Sequence, residues 1–299
     1  MKASAYWLSF LLLLVVSMAW GSSYILMKKG LMYLDPYQMA SIRLFIAGLC
    51  FTPFVFSRFE KRHIPLLPYF LIVGFCGSGI PSFCFAIAQT KIVSGLSGAL
   101  SSLTPIFTLI LGMLFYRLAY SGWRILGIVI GLSGALMIIL ARSDLGGIAD
   151  PWYGLFIVVA SILYAWSTNT IGHRLSSENS FTVSVIAFSL MMPAATVLFF
   201  ATSAYDVVAA SDSILSDFWP VILLAILGSV ITSIVYFYLI RISGSLFAST
   251  VSYLTPAVAI ILGLLDGEQI HIIQVAGLLL MCGGIMLSRR QTVNYTGNK

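Results

Sequence analysis

The chain has 299 residues, 60% of them hydrophobic and only 9% charged, with a mean hydropathy of +1.01. Soluble domains carry about 25% charged residues, so this composition excludes a water-soluble fold of this size. The formal charge of +6 and pI near 9.2 read as a loop-topology signal rather than a nucleic-acid footprint.

Apolar runs are predicted at about 7–27, 36–57, 66–88, 95–116, 122–141, 152–172, 181–203, 218–240, 245–265 and 270–288. Each is long enough to cross a hydrocarbon core as a helix, and none alternates like a barrel strand. At about 20 residues each, ten spans take roughly two-thirds of the chain. That leaves no room for a cytosolic nucleotide-binding domain, and no G-x-x-x-x-G-K-[ST] occurs. The first run follows Lys2 as a secretory signal would. It is too long, and Ser17-Met18-Ala19-Trp20 is a poor cleavage site, so it is read as a retained span.

Within that first run Trp20, Tyr24 and Lys28 recur at i, i+4 and i+8, with Ser17 one turn earlier and Ser23 alongside. Aromatic rings beside hydroxyls are what a pocket for an amphipathic solute needs. Arg43 lies about seven residues into the second run, roughly 10 Å along it at 1.5 Å per residue. An intramembrane Arg demands water or a partner; it is either a ligand for a substrate carboxylate or a structural anchor. Gln89 ends the third run. Pro105 and Pro256 fall near the centres of the fourth and ninth, where each leaves the carbonyl four residues earlier unpaired. Those carbonyls belong to Ser101 and Ser252, beside Thr104 and Thr255. They are read as midplane contacts for an ammonium or hydroxyl, with the prolines as hinges, or else as plain kinks. Gly127, Gly131 and Gly134 in the fifth run, and Gly277, Gly283 and Gly284 in the tenth, give smooth faces for close helix packing. Such faces serve as scaffold or as a homodimer contact. In the sixth run Trp166 and Asn169 occupy the stretch comparable to Trp20. Tyr164, Tyr236, Tyr238 and Tyr253 complete the candidates, of which Trp20, Trp166 and Asn169 are favoured.

With both termini cytoplasmic, the inner segments hold Lys2, Arg58, Lys61, Arg62, Arg117, Arg124, Arg174, Arg241, Arg289, Arg290 and Lys299. The outer segments hold only Lys28, Lys29, Lys91 and Arg142, as the positive-inside rule requires. All acids fall in loops or at span ends, so no mid-span carboxylate is available for a proton relay. Exchange or facilitated diffusion is the simpler mechanism, with Asp266 or Glu268 the remaining candidates for coupling. Cys50, Cys76, Cys84 and Cys282 sit in spans without a C-x-x-C and read as buried thiols rather than a disulfide or metal framework. No cofactor is expected.

An offset of 151 residues lays Ser101-Ser102-Leu103-Thr104-Pro105 over Ser252-Tyr253-Leu254-Thr255-Pro256, Gly77-Ser78 over Gly228-Ser229, and Ser82 over Ser233. An offset of 146 pairs Ala19-Trp20 with Ala165-Trp166 and Lys28 with Arg174. The reading is an all-α polytopic membrane protein of ten transmembrane helices, in two five-helix repeats covering 1–146 and 147–299. An odd number of helices per unit makes the second repeat enter from the opposite side, an inverted pair that places a site at the midplane. Trp20-Gly21-Ser22-Ser23-Tyr24, Ala40-Ser41-Ile42-Arg43-Leu44 and the Leu-Thr-Pro tripeptides at 103–105 and 254–256 resemble the EamA-type exporters of the drug/metabolite transporter superfamily. The resemblance runs from about residue 7 to 290. It implies export of small metabolites, amino acids being frequent cargo, across the inner (plasma) membrane through a central cavity, with the fifth and tenth helices at its periphery.

Two rivals are weighed against the carrier. Gly95-Leu96-Ser97-Gly98 and Gly131-Leu132-Ser133-Gly134 match the G-x-S-G of intramembrane serine proteases, but a serine nucleophile needs a base in reach. His63, His173 and His271 all lie at loops or helix ends. A solute channel would show a charge ring or filter-like loop, and neither is visible. The expected partners are a small-molecule substrate and the bilayer, not nucleic acid.

Overall fold

A computed structural model describes residues 3–116, 122–140, 151–269 and 272–288. Among them every regular element is helical. Seven segments are long and apolar enough to cross a membrane: α1 (Ala3–Gly30), α2 (Pro36–Arg58), α3 (Lys61–Gln89), α4 (Ser94–Tyr116), α6 (Pro151–Arg174), α7 (Ser180–Ala201) and α8 (Ile214–Ser243). The helices α5 (Gly122–Leu140), α9 (Val251–Leu265) and α10 (Ile272–Ser288) carry shorter apolar stretches. This is a multi-pass membrane protein by composition and length.

Helix starts follow local chemistry. Asp35 accepts hydrogen bonds from the amides of Tyr37 (2.8 Å) and Gln38 (2.9 Å), and its own amide donates to Gln38 Oε1 at 3.2 Å. This capping box, with Pro36 at the first helical position, fixes where α2 begins. Asn179 caps α7 the same way through the Phe181 amide. Gly244 separates α8 from the short turn Ser245–Ala248 that precedes α9. Its φ of +84° is a conformation that side chains with a Cβ rarely adopt.

Several predicted continuous spans are interrupted, the ninth among them at Ser249–Thr250. The fourth divides into Ser94–Ser101 and Thr104–Tyr116, with Ser102 and Leu103 turning through bonds to Ala99 and Leu100. Pro105 therefore sits in the first turn of a new helix, where its missing donor costs little, not in mid-helix as expected. Pro256 does lie inside α9. The third and eighth spans widen into π-helix at Phe75–Gly79 and Leu224–Ile231. Gly77-Ser78 and Gly228-Ser229 lie in these widened turns, so the sequence offset of 151 falls on the same distortion twice. Such widenings concentrate at functional sites.

One apolar core joins the ends of α1 and α2 to α3, α4 and α6, including Met39, Leu100, Leu103 and Ile157. Another joins α1, α3, α6, α7 and α8 through Phe70, Ile186 and Leu239. Helices α5 and α10 pack chiefly on each other. A Cβ at Gly284 would come within 2.5 Å of the Gly127 carbonyl, and one at Gly134 within 2.7 Å of the Gly277 carbonyl. Gly134 and Gly284 thus serve the close packing of α5 on α10, whereas a Cβ at Gly283 would meet nothing within 4 Å.

Two ion-pair clusters tie loops together. Where α1 ends, Lys28 bridges Asp266 (2.8 Å) and Glu268 (3.0 Å), and Lys29 reaches Asp266 at 3.5 Å. Glu268 also accepts from the Ser94 and Gly95 amides at 3.2 Å, capping α4 from another part of the chain. Where α2 meets α3, His63 and Arg62 contact Glu178 at 3.2 and 3.3 Å. The acids do avoid mid-span, yet Glu178 and Glu268 are buried. Cys76 and Cys84 are buried, whereas Cys50 is exposed, contrary to expectation.

Candidate functional site

A cavity opens inside the bundle. Trp20, Ser23 and Tyr24 enter it from α1, Arg43 from α2, Phe85 from α3, and Ser101 and Thr104 from α4. Tyr164, Ser167 and Thr168 line it from α6, Ser233 and Tyr236 from α8, and Ser252 and Thr255 from α9. Gly77 reaches it from the π-turn of α3, and Ser101 and Thr104 flank the break in α4, because a widened or broken helix brings backbone and small side chains to the wall.

Five rings form one wall. Trp20 lies 4.7 Å from Tyr236 and 6.3 Å from Tyr164, Tyr164 lies 5.9 Å from Phe85, and Phe85 lies 5.6 Å from Tyr24. The Trp20 indole N–H donates to the Gly228 carbonyl at 3.2 Å, in the π-turn of α8. Tyr236 and Thr168 share a hydroxyl–hydroxyl bond of 3.1 Å. Arg43 is 7% exposed, and its Nε donates to Ser229 Oγ at 2.8 Å in the same π-turn.

The lining repeats at fixed offsets. Trp20, Ser23 and Tyr24 have Tyr164, Ser167 and Thr168 each 144 positions later. Phe85, Ser101 and Thr104 have Tyr236, Ser252 and Thr255 each 151 positions later. The offset of 151 is the one visible in the sequence; on α6 the working offset is 144, not 146.

That difference of two residues moves two favoured candidates off the cavity. Successive residues turn about 100° around a helix axis, so with Tyr164 and Thr168 facing the cavity, Trp166 points away. It is 44% exposed on the outside of the bundle. Asn169 is fully buried but donates to the Thr108 carbonyl at 2.9 Å and accepts from Ser245 at 3.4 Å, so it joins α6 to α4 rather than facing a solute. Gln89 is buried without a partner among the described residues, at the end of α3 and away from the lining. The Tyr253 side chain lies outside the described residues. Tyr238 is held under Arg241 and does not line the cavity.

The two freed carbonyls are also occupied. Ser101 O accepts from Thr104 Oγ1 at 2.9 Å, and Ser252 O accepts from Ser102 Oγ at 2.7 Å. Sequence reasoning missed Met27, Gly77, Phe85, Ser167, Thr168, Ser233 and Phe237. For Phe85, Ser167 and Thr168 the repeat itself was the available signal, applied at the right offset.

Neither G-x-S-G serine has a catalytic base among the described residues. Ser97 Oγ is buried without a partner, and Ser133 Oγ donates to its own helix at Val129 O. His63 is engaged with Glu178, and His173 stacks on Tyr116 at 4.5 Å. His271 lies outside the described residues. No group of three His, Cys, Asp or Glu in metal-holding geometry occurs among the described residues.

Comparison with known proteins agrees with this architecture. The EamA-like transporter family model matches residues 7–140 and 151–290. The uncharacterized inner membrane transporter YedA of Escherichia coli K12 is 31% identical over 262 residues, covering 85% of this chain and 82% of that one. The uncharacterized transporter YoaV of Bacillus subtilis 168 is 24% identical across 91% and 94% of the two chains. A probable amino-acid metabolite efflux pump of Salmonella typhimurium LT2 is 25% identical over 62% of this chain and 60% of its own. A solved crystal structure superposes with a TM-score of 0.63 over 97% of both chains at 14% identity, a likeness of fold alone. With that family model matched over most of its length, the chain belongs to the EamA-like transporter family.

Proposed function

We propose that this chain is a secondary carrier that exports small amphipathic metabolites, amino acids among them, across the inner membrane by alternating access. Ten transmembrane helices would form two inverted five-helix halves with both termini cytoplasmic. The observation that carries this reading is the cavity lined by side chains recurring at offsets of 144 and 151. Inverted halves around a shared midplane site can exchange conformations and so expose it to either side. Repeated π-turns, and the breaks at Ser102–Leu103 and Ser249–Thr250, supply places for helices to bend, with Pro105 and Pro256 as site edges or hinges. Lining of about five rings and several hydroxyls suits a solute with an apolar body and a few polar groups. The Salmonella relative's name points to amino-acid metabolites.

Among the described residues the lining holds no carboxylate, which favours exchange or facilitated diffusion over a buried proton relay. A proteoliposome panel of amino acids and related metabolites, run with and without a pH gradient, tests both points. Saturable flux that persists without the gradient is expected. Flux that vanishes whenever the gradient is collapsed would contradict the mechanism, and flux that rises linearly without saturation would favour a channel.

A further inference from the structure

Among the described residues the cavity wall contains one charged side chain, Arg43. Its Nε is fixed by Ser229 at 2.8 Å. Its two terminal nitrogens have no hydrogen-bond acceptor, and no carboxylate pairs with it, among the described residues. A guanidinium held from one side, with its planar fork facing a cavity, presents two parallel N–H donors that match a carboxylate.

The repeat isolates this group further. Helices α2 and α7 start 144 residues apart, at Pro36 and Ser180, the same offset that relates the lining of α1 and α6. At that offset Arg43 corresponds to Ala187, which is buried against the Gly74 segment. At the offsets of 144 and 151 Trp20, Ser23, Phe85, Ser101 and Thr104 correspond to Tyr164, Ser167, Tyr236, Ser252 and Thr255, a ring for a ring or a hydroxyl for a hydroxyl, whereas the counterpart of Arg43 is an alanine outside the lining. A near-symmetric wall with one cation reads a solute whose two ends differ and whose charged end is anionic.

Nothing comparable awaits an ammonium. The Ser101 and Ser252 carbonyls already accept from Thr104 and Ser102, and the Gly228 carbonyl accepts from Trp20. Ring faces remain, and these attract a cation only weakly compared with a carboxylate partner.

Building on the carrier reading, we infer that the site selects small monocarboxylates with an apolar or aromatic body. Arg43 grips the carboxylate, and an α-amino group is tolerated but not required. The test uses matched solutes: leucine and phenylalanine, their carboxylate-only analogues 4-methylpentanoate and 3-phenylpropionate, and their amine-only analogues isoamylamine and phenethylamine. Binding is read as thermal stabilisation of the purified full chain in detergent, and transport as counterflow in proteoliposomes. Amino acids and carboxylate-only analogues should bind within about fivefold of one another, with the amines at least tenfold weaker. Arg43→Gln should weaken the carboxylates at least tenfold and leave the amines unchanged. Ser229→Ala, which keeps the charge but releases its anchor, should weaken carboxylates severalfold while the chain still folds.

Amines that bind or exchange as well as the carboxylates would overturn the inference while leaving the carrier standing. So would carboxylates that bind Ser229→Ala and Arg43→Gln as they bind the unaltered chain. Absence of binding and counterflow for every solute in the unaltered chain would overturn both the inference and the carrier reading.

Discussion

Trp20 shows how one residue joins the two halves of the site. Its ring stacks on Tyr164 and lies tilted against Tyr236, and its N–H closes onto the π-turn of α8. An aromatic pair contributes about 0.5–1.5 kcal/mol beyond its buried area, and the ring also supplies wall for the solute. Trp20→Ala should therefore raise the KM for transport by about tenfold, and Trp20→Phe by less, as measured by initial flux at graded solute concentration. Trp166→Ala, on the outer surface, should leave KM within twofold. The contrast matters because the sequence makes the two tryptophans look alike: both follow an Ala. Only the rotation of α6, set by how Tyr164 packs on Trp20 and Phe85, decides which side chain faces inward. Arg43 was recognisable as an intramembrane ion, but its anchoring by Ser229 depends on a π-turn that hydropathy does not encode.

At the scale of elements, the glycine faces of α5 and α10 and the loop cluster at Glu268 make separate predictions. Gly284→Leu would drive a side chain into the α5 backbone, where a Cβ alone meets the Gly127 carbonyl and the Gly131 amide at 2.5 Å. Overpacking of this kind costs about 1–3 kcal/mol or more. The melting temperature in detergent should fall by several degrees, while flux per correctly folded molecule should change little, because α5 and α10 contribute no lining residue among those described. Burial raises the Glu268 carboxyl, but hydrogen bonds from Ser94 and Lys28, with the Gly95 and Ser94 amides, outweigh it and hold the group below its ordinary range. A depressed carboxyl stabilises the fold above its unfolded value and loses that stabilisation as pH falls through its folded value. Glu268→Gln should therefore melt lower than the unaltered chain at pH 7, and the gap should close as the pH drops below about 4, the ordinary carboxylate range. Helix positions were legible because long apolar runs ended in charges or in Asp35-Pro36-type starts. The break at Ser102–Leu103 and the π-turns were not, since they arise from packing between helices rather than from composition within one.

The whole molecule combines few charges with selective placement. Only 9% of the residues are charged, and among the described residues Arg43 is the one charged side chain that lines the cavity. The offset of 151 visible in the sequence recurs among the cavity-lining residues, whereas the offset of 146 does not: on α6 the lining follows an offset of 144. The most direct measurement of the central claim is counterflow: uptake of labelled solute into proteoliposomes preloaded with an excess of the same unlabelled solute. Alternating access to one shared cavity predicts that the internal load accelerates uptake and produces a transient overshoot, and that Trp20→Ala diminishes it. Uptake that saturates but is indifferent to the internal load, in the unaltered chain, would contradict the account.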